Sequence, residues 1–153
     1  MQPLAIDLKR RYPNLVFRAG TRFAWSPEQR QITYDRRAKD NAGRWSLLHE
    51  TSHALLEHCS YANDFNLIEM EVAAWERAKH LAAELLQETI DEDHIQDCLD
   101  TYRDWLHRRS TCPSCSTKSL QEDKQHYRCF NCQSRWRVTP SRFCRSYRAT
   151  IAT

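Results

Sequence analysis

The sequence predicts an α+β protein: a small antiparallel sheet, then a helical body, then a compact cysteine module. Three observations predict it. Short β-prone runs separated by turn residues occupy the first 35 positions, a period near 3.6 takes over from Arg44 to Arg108, and two C-x-x-C pairs follow Ser110.

The elements follow in order. Pro3 to Arg11 places Leu4 and Leu8 at helical spacing and stops before Pro13, which predicts a short helix. Leu15–Arg18, Thr21–Trp25 and Gln31–Tyr34 are rich in β-branched and aromatic residues and end at Gly20, Ser26-Pro27 or a charged loop. About three strands is the minimum for a stable meander. A polar loop runs from Asp35 to Gly43. The segment Arg44–Cys59 then carries Leu47, Leu48, Ala54 and Leu55 on one stripe, and Asn66–Gln87 does so with Leu67, Ala74, Trp75, Ala78, Leu81, Ala82 and Leu85. A third helix, Glu92–Arg108, has Ile95, Leu99, Tyr102 and Leu106 on its apolar side and Asp91 as candidate N-cap.

The bulk composition narrows the class. Apolar residues at 41% and charged residues at 28% suit a globular core. No run approaches the roughly 18 apolar residues of a membrane span, and Met1–Arg11 lacks the apolar stretch of an export signal, so a soluble cytoplasmic protein is expected. The net charge of +3 is unevenly spread: residues 1–107 carry −5 and residues 108–153 carry +8. A basic C-terminal segment on an acidic body points to an anionic partner, nucleic acid first.

The chemistry concentrates in His49-Glu50-Thr51-Ser52-His53. Positions i and i+4 leave a helix on one face, so both imidazoles can reach one Zn²⁺. Glu50 is placed to meet the attacking water rather than the metal, as a general base. Burying two histidines and a glutamate among Leu47, Leu48, Ala54, Leu55 and Leu56 without a shared partner would be costly. A third ligand is needed, and Glu71 is the best candidate because it shares the packing face of its helix with Ala74, Trp75 and Ala78. Glu69 points about 200° away. His58, five residues past His53, is turned off the ligand face and is a minor ligand candidate; Tyr34, Tyr61 and His58 are candidates for polarising a scissile carbonyl. The strand Gln31–Arg36 is a candidate edge for binding substrate backbone.

The run Leu47-Leu48-His49-Glu50-Thr51-Ser52-His53-Ala54-Leu55-Leu56-Glu57-His58, followed by Glu69-Met70-Glu71-Val72-Ala73-Ala74-Trp75, resembles the ImmA/IrrE family of metallopeptidases over about residues 30–90. The family pairs an HExxH helix with a helix of the form E-x-E-A-x-x-F-A. Val72, Trp75 and Glu76 replace its usual Ala, Phe and Ala. The resemblance implies a gluzincin-like catalytic zinc on His49, His53 and Glu71, Glu50 as base, and a repressor-like protein substrate. The domain order is also similar to that of SprT-like peptidases, which place a zinc ribbon after the HExxH domain and act on DNA-bound protein. Their third ligand is a downstream His, usually in an H-G-x-x-W context; here His80 is the sole His in a comparable region and lacks the Gly.

Cys112-Pro113-Ser114-Cys115 and Cys129-Phe130-Asn131-Cys132 form two tight turns able to close a tetrahedral structural zinc site. Lys118 to Arg128 is long enough for a hairpin, with a further strand at Trp136 and Val138. Arg128, Arg135, Arg137, Arg142, Arg145 and Arg148, interleaved with aromatics, suit phosphates and stacked bases. Cys59, Cys98 and Cys144 read as free thiols, the first two on helices. The expected organisation is a zincin-like domain over 1–109, a four-cysteine zinc ribbon over 110–139 and a flexible basic tail over 140–153. The expected function is a zinc endopeptidase recruited by its ribbon to DNA or a DNA-bound protein; the alternative is a non-catalytic, zinc-containing binding regulator.

Overall fold

The computed structural model describes residues 1–140 and the backbone of Ala149–Ile151. Over these residues the chain is mixed α+β, with four helices and two small sheets, and it divides into two compact units. No described helix is long and apolar enough to cross a membrane.

The first unit comprises Met1–Ser60 and Met70–Ile95. Helix α1 (Gln2–Arg11) begins with a proline in its first turn, where the missing N–H costs nothing, and buries Leu4, Ala5 and Leu8. Strands β1 (Val16–Gly20), β2 (Ala24–Ser26) and β3 (Gln31–Asp35) form a sheet in the order β1-β3-β2. β2 and β3 are a hairpin closed by a turn that ends at Arg30, whose φ is 46°. β1 pairs with the far side of β3 in parallel, so the sheet is mixed and the expected antiparallel meander is corrected. The parallel pairing depends on Gly20, since a Cβ there would stand 2.6 Å from Thr33 Cγ2. β3 is therefore the central strand, and the proposed substrate edge at Gln31–Arg36 is not an edge; the open edges belong to β1 and β2.

Helix α2 (Asn41–Leu55) packs on β2 and β3. It starts three residues earlier than the expected Arg44 because the Asp40 carboxylate accepts the Gly43 N–H at 2.9 Å, an N-cap that relieves one unpaired amide of the first turn. The helix is buried along most of its length, and its polar side chains are satisfied internally: Thr51 and Ser52 donate to the carbonyls of Leu47 and Leu48 at 2.7 and 2.8 Å. It ends at Leu55, so Cys59 lies beyond it rather than on a helix. Helix α3 (Asp64–Leu86) contributes Ala74, Trp75, Ala78, Leu81 and Ala82 to the core of this unit.

The second unit comprises Tyr61–Glu69 and Gln96–Thr153, which puts the first turns of α3 and most of α4 (Glu92–Ser110) with the cysteine module. Strands β4 (Leu120–Asp123), β5 (His126–Arg128) and β6 (Arg135–Arg137) form an antiparallel sheet. β7 (Ala149–Ile151) extends it within the segment expected to be a flexible tail. Arg142, Cys144, Arg145 and Arg148 lie outside the described residues. The core is Tyr127, Trp136 and Val138 packed with Cys112 and Cys129, the two rings stacked at 5.6 Å.

A buried ionic network ties this unit together. Arg109 and Asp64 are each about 1% exposed. Arg109 Nε donates to Asp64 Oδ2 at 2.7 Å, Tyr127 OH donates to the same oxygen at 2.7 Å, and Gln121 accepts the Asp64 N–H at 2.7 Å. The guanidinium also donates to the Thr139 carbonyl and lies 4.5 Å from the Trp105 ring centre, while Trp136 Nε1 donates to the Arg109 carbonyl at 2.9 Å. A buried charge left without its partner is destabilising by about 3–5 kcal/mol, whereas removing both charges is often neutral. Asp64→Ala should therefore lower stability in denaturant unfolding by about 3–5 kcal/mol, and adding Arg109→Met should recover much of that loss. A loss below about 1 kcal/mol for Asp64→Ala would contradict the network's role.

Candidate metal centres

α2 and α3 bring His49, His53 and Glu71 together at 7%, 8% and 2% exposure. His49 Nε2 lies 3.1 Å from Glu71 Oε2 and 3.1 Å from His53 Nε2, and the third side, His53 Nε2 to Glu71 Oε2, is 3.5 Å. Ligands 2.0–2.1 Å from a tetrahedral zinc ion stand about 3.3–3.4 Å apart. The triangle is thus of the size that a single ion would draw, and its donor set, two imidazoles and one carboxylate, suits zinc and similar divalent metals. Burial pushes the Glu71 carboxyl up, but hydrogen bonds from His49 and His53 and their charges outweigh it and hold the group well below the usual carboxylate range. It is thus ionised, the form in which a carboxylate can bind a cation.

Each imidazole is oriented differently. The His49 ring stacks on Trp75 with centroids 4.2 Å apart and planes at 25°, and its buried Nδ1 meets no hydrogen-bond partner among the described residues. His53 Nδ1 instead lies 2.8 Å from His58 Nδ1. Burial and then repulsion from His53 lower the His58 imidazole below its ordinary value, so His58 is neutral near pH 7. It faces the back of His53, not the ligand triangle, which corrects its reading as a possible ligand.

Glu50 follows His49 on α2, is partly exposed, and makes no hydrogen bond or ion pair among the described residues. Glu69 is exposed and accepts from Asn66 Nδ2 at 3.4 Å, away from the cluster, and His80 is exposed on α3. Of the tyrosines named as candidates for polarising a carbonyl, Tyr34 lies on β3 in the first unit and Tyr61 belongs to the second.

The second cluster is Cys112, Cys115, Cys129 and Cys132. Its two turns repeat one backbone pattern. The first cysteine of each pair donates to the carbonyl five residues on (Cys112 to Thr117, Cys129 to Ser134) and accepts from the residue four on (Ser116, Gln133). Ser116 and Gln133 occupy the left-handed region, with φ of 60° and 62°. Non-glycine residues take that conformation at a cost, so the two turns are held in it by their surroundings. Backbone N–H groups of Ser114 and Cys132 point at the sulfurs of Cys112 and Cys129, at 3.4 and 3.5 Å, as suits thiolates. The sulfurs of Cys112 and Cys132 are 3.6 Å apart and those of Cys115 and Cys129 3.5 Å, near the roughly 3.8 Å set by zinc–sulfur bonds of about 2.3 Å. Hydrogen bonds from Thr117 and Asn131 lower the Cys115 thiol to about 5, while burial pushes the Cys112 thiol up to about 11. With all four positions filled by sulfur, such a centre is closed and structural. Cys59 is exposed and Cys98 half-buried, and neither is in a disulfide.

The basic residues of the module are unequal. Arg128 and Arg135 flank Glu122 at 2.9 and 2.6 Å, and Arg135 also reaches Asp123. Arg137 is exposed and makes no ion pair among the described residues. Phe130, at the tip of the second turn, and Leu120 are exposed. No family model, curated protein or solved structure matches the chain.

Proposed function

We propose that the chain is a zinc-dependent endopeptidase whose cysteine module targets it to a DNA-bound or repressor-like protein. The observation that carries the reading is the buried triangle of His49, His53 and Glu71 with an unpaired glutamate beside it on the same helix. Two histidines and a carboxylate kept merely for packing would not need Glu50. Zinc held by His49, His53 and Glu71 would supply Lewis acidity toward a peptide carbonyl and would lower the pKa of water to about 7. Glu50, free of other partners, takes a proton from the attacking water and returns it to the departing amine. Glu71, His49 and His53 would hold the ion. The donor set, with a glutamate on a following helix, favours the ImmA/IrrE-like reading over the SprT-like one, because His80 stands outside the cluster.

Glu50→Gln should keep both metals and the fold while reducing cleavage of a protein substrate by at least about a hundredfold, the scale of general-base catalysis. Unchanged turnover in that variant removes Glu50 from the mechanism and leaves the non-catalytic regulator as the reading.

For targeting, Arg137 is exposed on the cysteine module, the sequence after it adds Arg142, Arg145 and Arg148 as positive charge, and exposed Phe130 is available for stacking. Duplex DNA binding should weaken steeply with salt, and Arg137→Ala should reduce the slope of log K against log salt by about one. Arg135→Ala should change it less, because that guanidinium is already held by Glu122 and Asp123. Binding that ignores salt would leave the module as a protein-docking element.

A further inference from the structure

The end of α2 delivers a histidine to the back of a metal ligand. Leu56 caps the helix, and Glu57 turns into the left-handed region with φ of 54°. The Glu57 N–H then bonds the Ala54 carbonyl at 3.2 Å and the His58 N–H bonds the His53 carbonyl at 3.0 Å. This pair of bonds is a Schellman closure, in which the residue after the left-handed position folds its side chain onto the residue five before it. That contact is normally apolar. Here the two residues are His58 and His53, and their rings meet Nδ1 to Nδ1 at 2.8 Å. The His58 carbonyl is fixed as well, accepting Trp25 Nε1–H at 2.7 Å from β2. The segment is thus anchored by its N–H, its carbonyl and its ring.

An imidazole that offers its Nε2 lone pair to a metal carries its proton on Nδ1. His53 Nε2 belongs to the triangle, so with an ion bound there His53 Nδ1–H would be the donor and His58 Nδ1 the acceptor. We propose that His58 is a positioning residue that fixes the tautomer and ring orientation of His53 for metal binding. The inference rests on the reading of His49, His53 and Glu71 as a metal centre. The partner of a ligand histidine is ordinarily a carboxylate, a carbonyl or water; in this chain an imidazole brought round by the helix terminus takes that place. His49 Nδ1 has no such partner among the described residues, and its ring stacks on Trp75 instead.

The test uses the full chain with the cysteine site zinc-loaded, and measures zinc affinity at the second site by chelator competition. His58→Leu retains an apolar contact of the ordinary Schellman kind, so the helix end should persist, as thermal unfolding would check. It removes the acceptor, and affinity should fall about 10–100-fold, the usual effect of losing such a partner. His58→Asn places an amide oxygen near the position of Nδ1 and should restore most of the affinity. Nitrogen-resolved NMR of the imidazoles should show a slowly exchanging His53 Nδ1–H in the wild type and in His58→Asn, lost in His58→Leu. Wild-type affinity in His58→Leu overturns the inference alone, as does failure of His58→Asn to rescue. A wild-type chain that takes up only the cysteine-site equivalent overturns the metal centre itself, and this inference with it.

Discussion

Two imidazoles and a carboxylate converge to within 3.5 Å at positions nearly closed to water, and the arrangement of the first unit follows from that convergence. A carboxylate taken from water needs a cation or several donors to remain ionised. Glu71 has the two histidines, and the three ligating atoms share a centre that a divalent ion would fill. The surrounding structure serves that geometry. α2 is pinned at its start by Asp40, at its middle by the internal bonds of Thr51 and Ser52, and at its end by the turn at Glu57. The ring of His49 is set by Trp75 and that of His53 by His58. The imidazoles are therefore oriented by groups that do not belong to the triangle, which is how a site keeps its shape before a ligand arrives.

The second unit solves a different problem. Its β strands are three or four residues long, too short to sustain a core of their own, and the sheet's apolar interior is Tyr127, Trp136 and Val138 with two of the cysteines. Small modules of this kind need a staple. Four converging sulfurs provide one, and the buried Asp64–Arg109 pair with Tyr127 provides another that reaches the start of α3 and the end of α4.

Local spacing made both candidate metal clusters legible. The i, i+4 histidines, the C-x-x-C turns, and a glutamate sharing a helix face with Ala74, Trp75 and Ala78 are all patterns that secondary structure alone converts into proximity. Features that depend on distant pairing were not legible. Nothing in three short β-prone runs says that β1 crosses to the far side of β3; the close approach of Gly20 to Thr33 becomes visible only in the fold. Asp64, Arg109 and Tyr127 are 45 and 63 residues apart, beyond any periodicity. His58 is the instructive case. On a continuing helix its ring would indeed turn from His53, but α2 stops at Leu55 and a left-handed Glu57 brings it back. Glycine is the usual signal for such a turn, and this chain has none there.

The most direct test of a histidine–glutamate metal centre separate from the cysteine site is metal content. Zinc per chain would be measured on protein purified without added metal or chelator, beside a His53→Ala variant. Two zinc ions falling to one, with the cysteine site still filled, is the result this account predicts. One zinc ion in both proteins would contradict it and leave the convergence of His49, His53 and Glu71 as a buried hydrogen-bonded cluster without a metal.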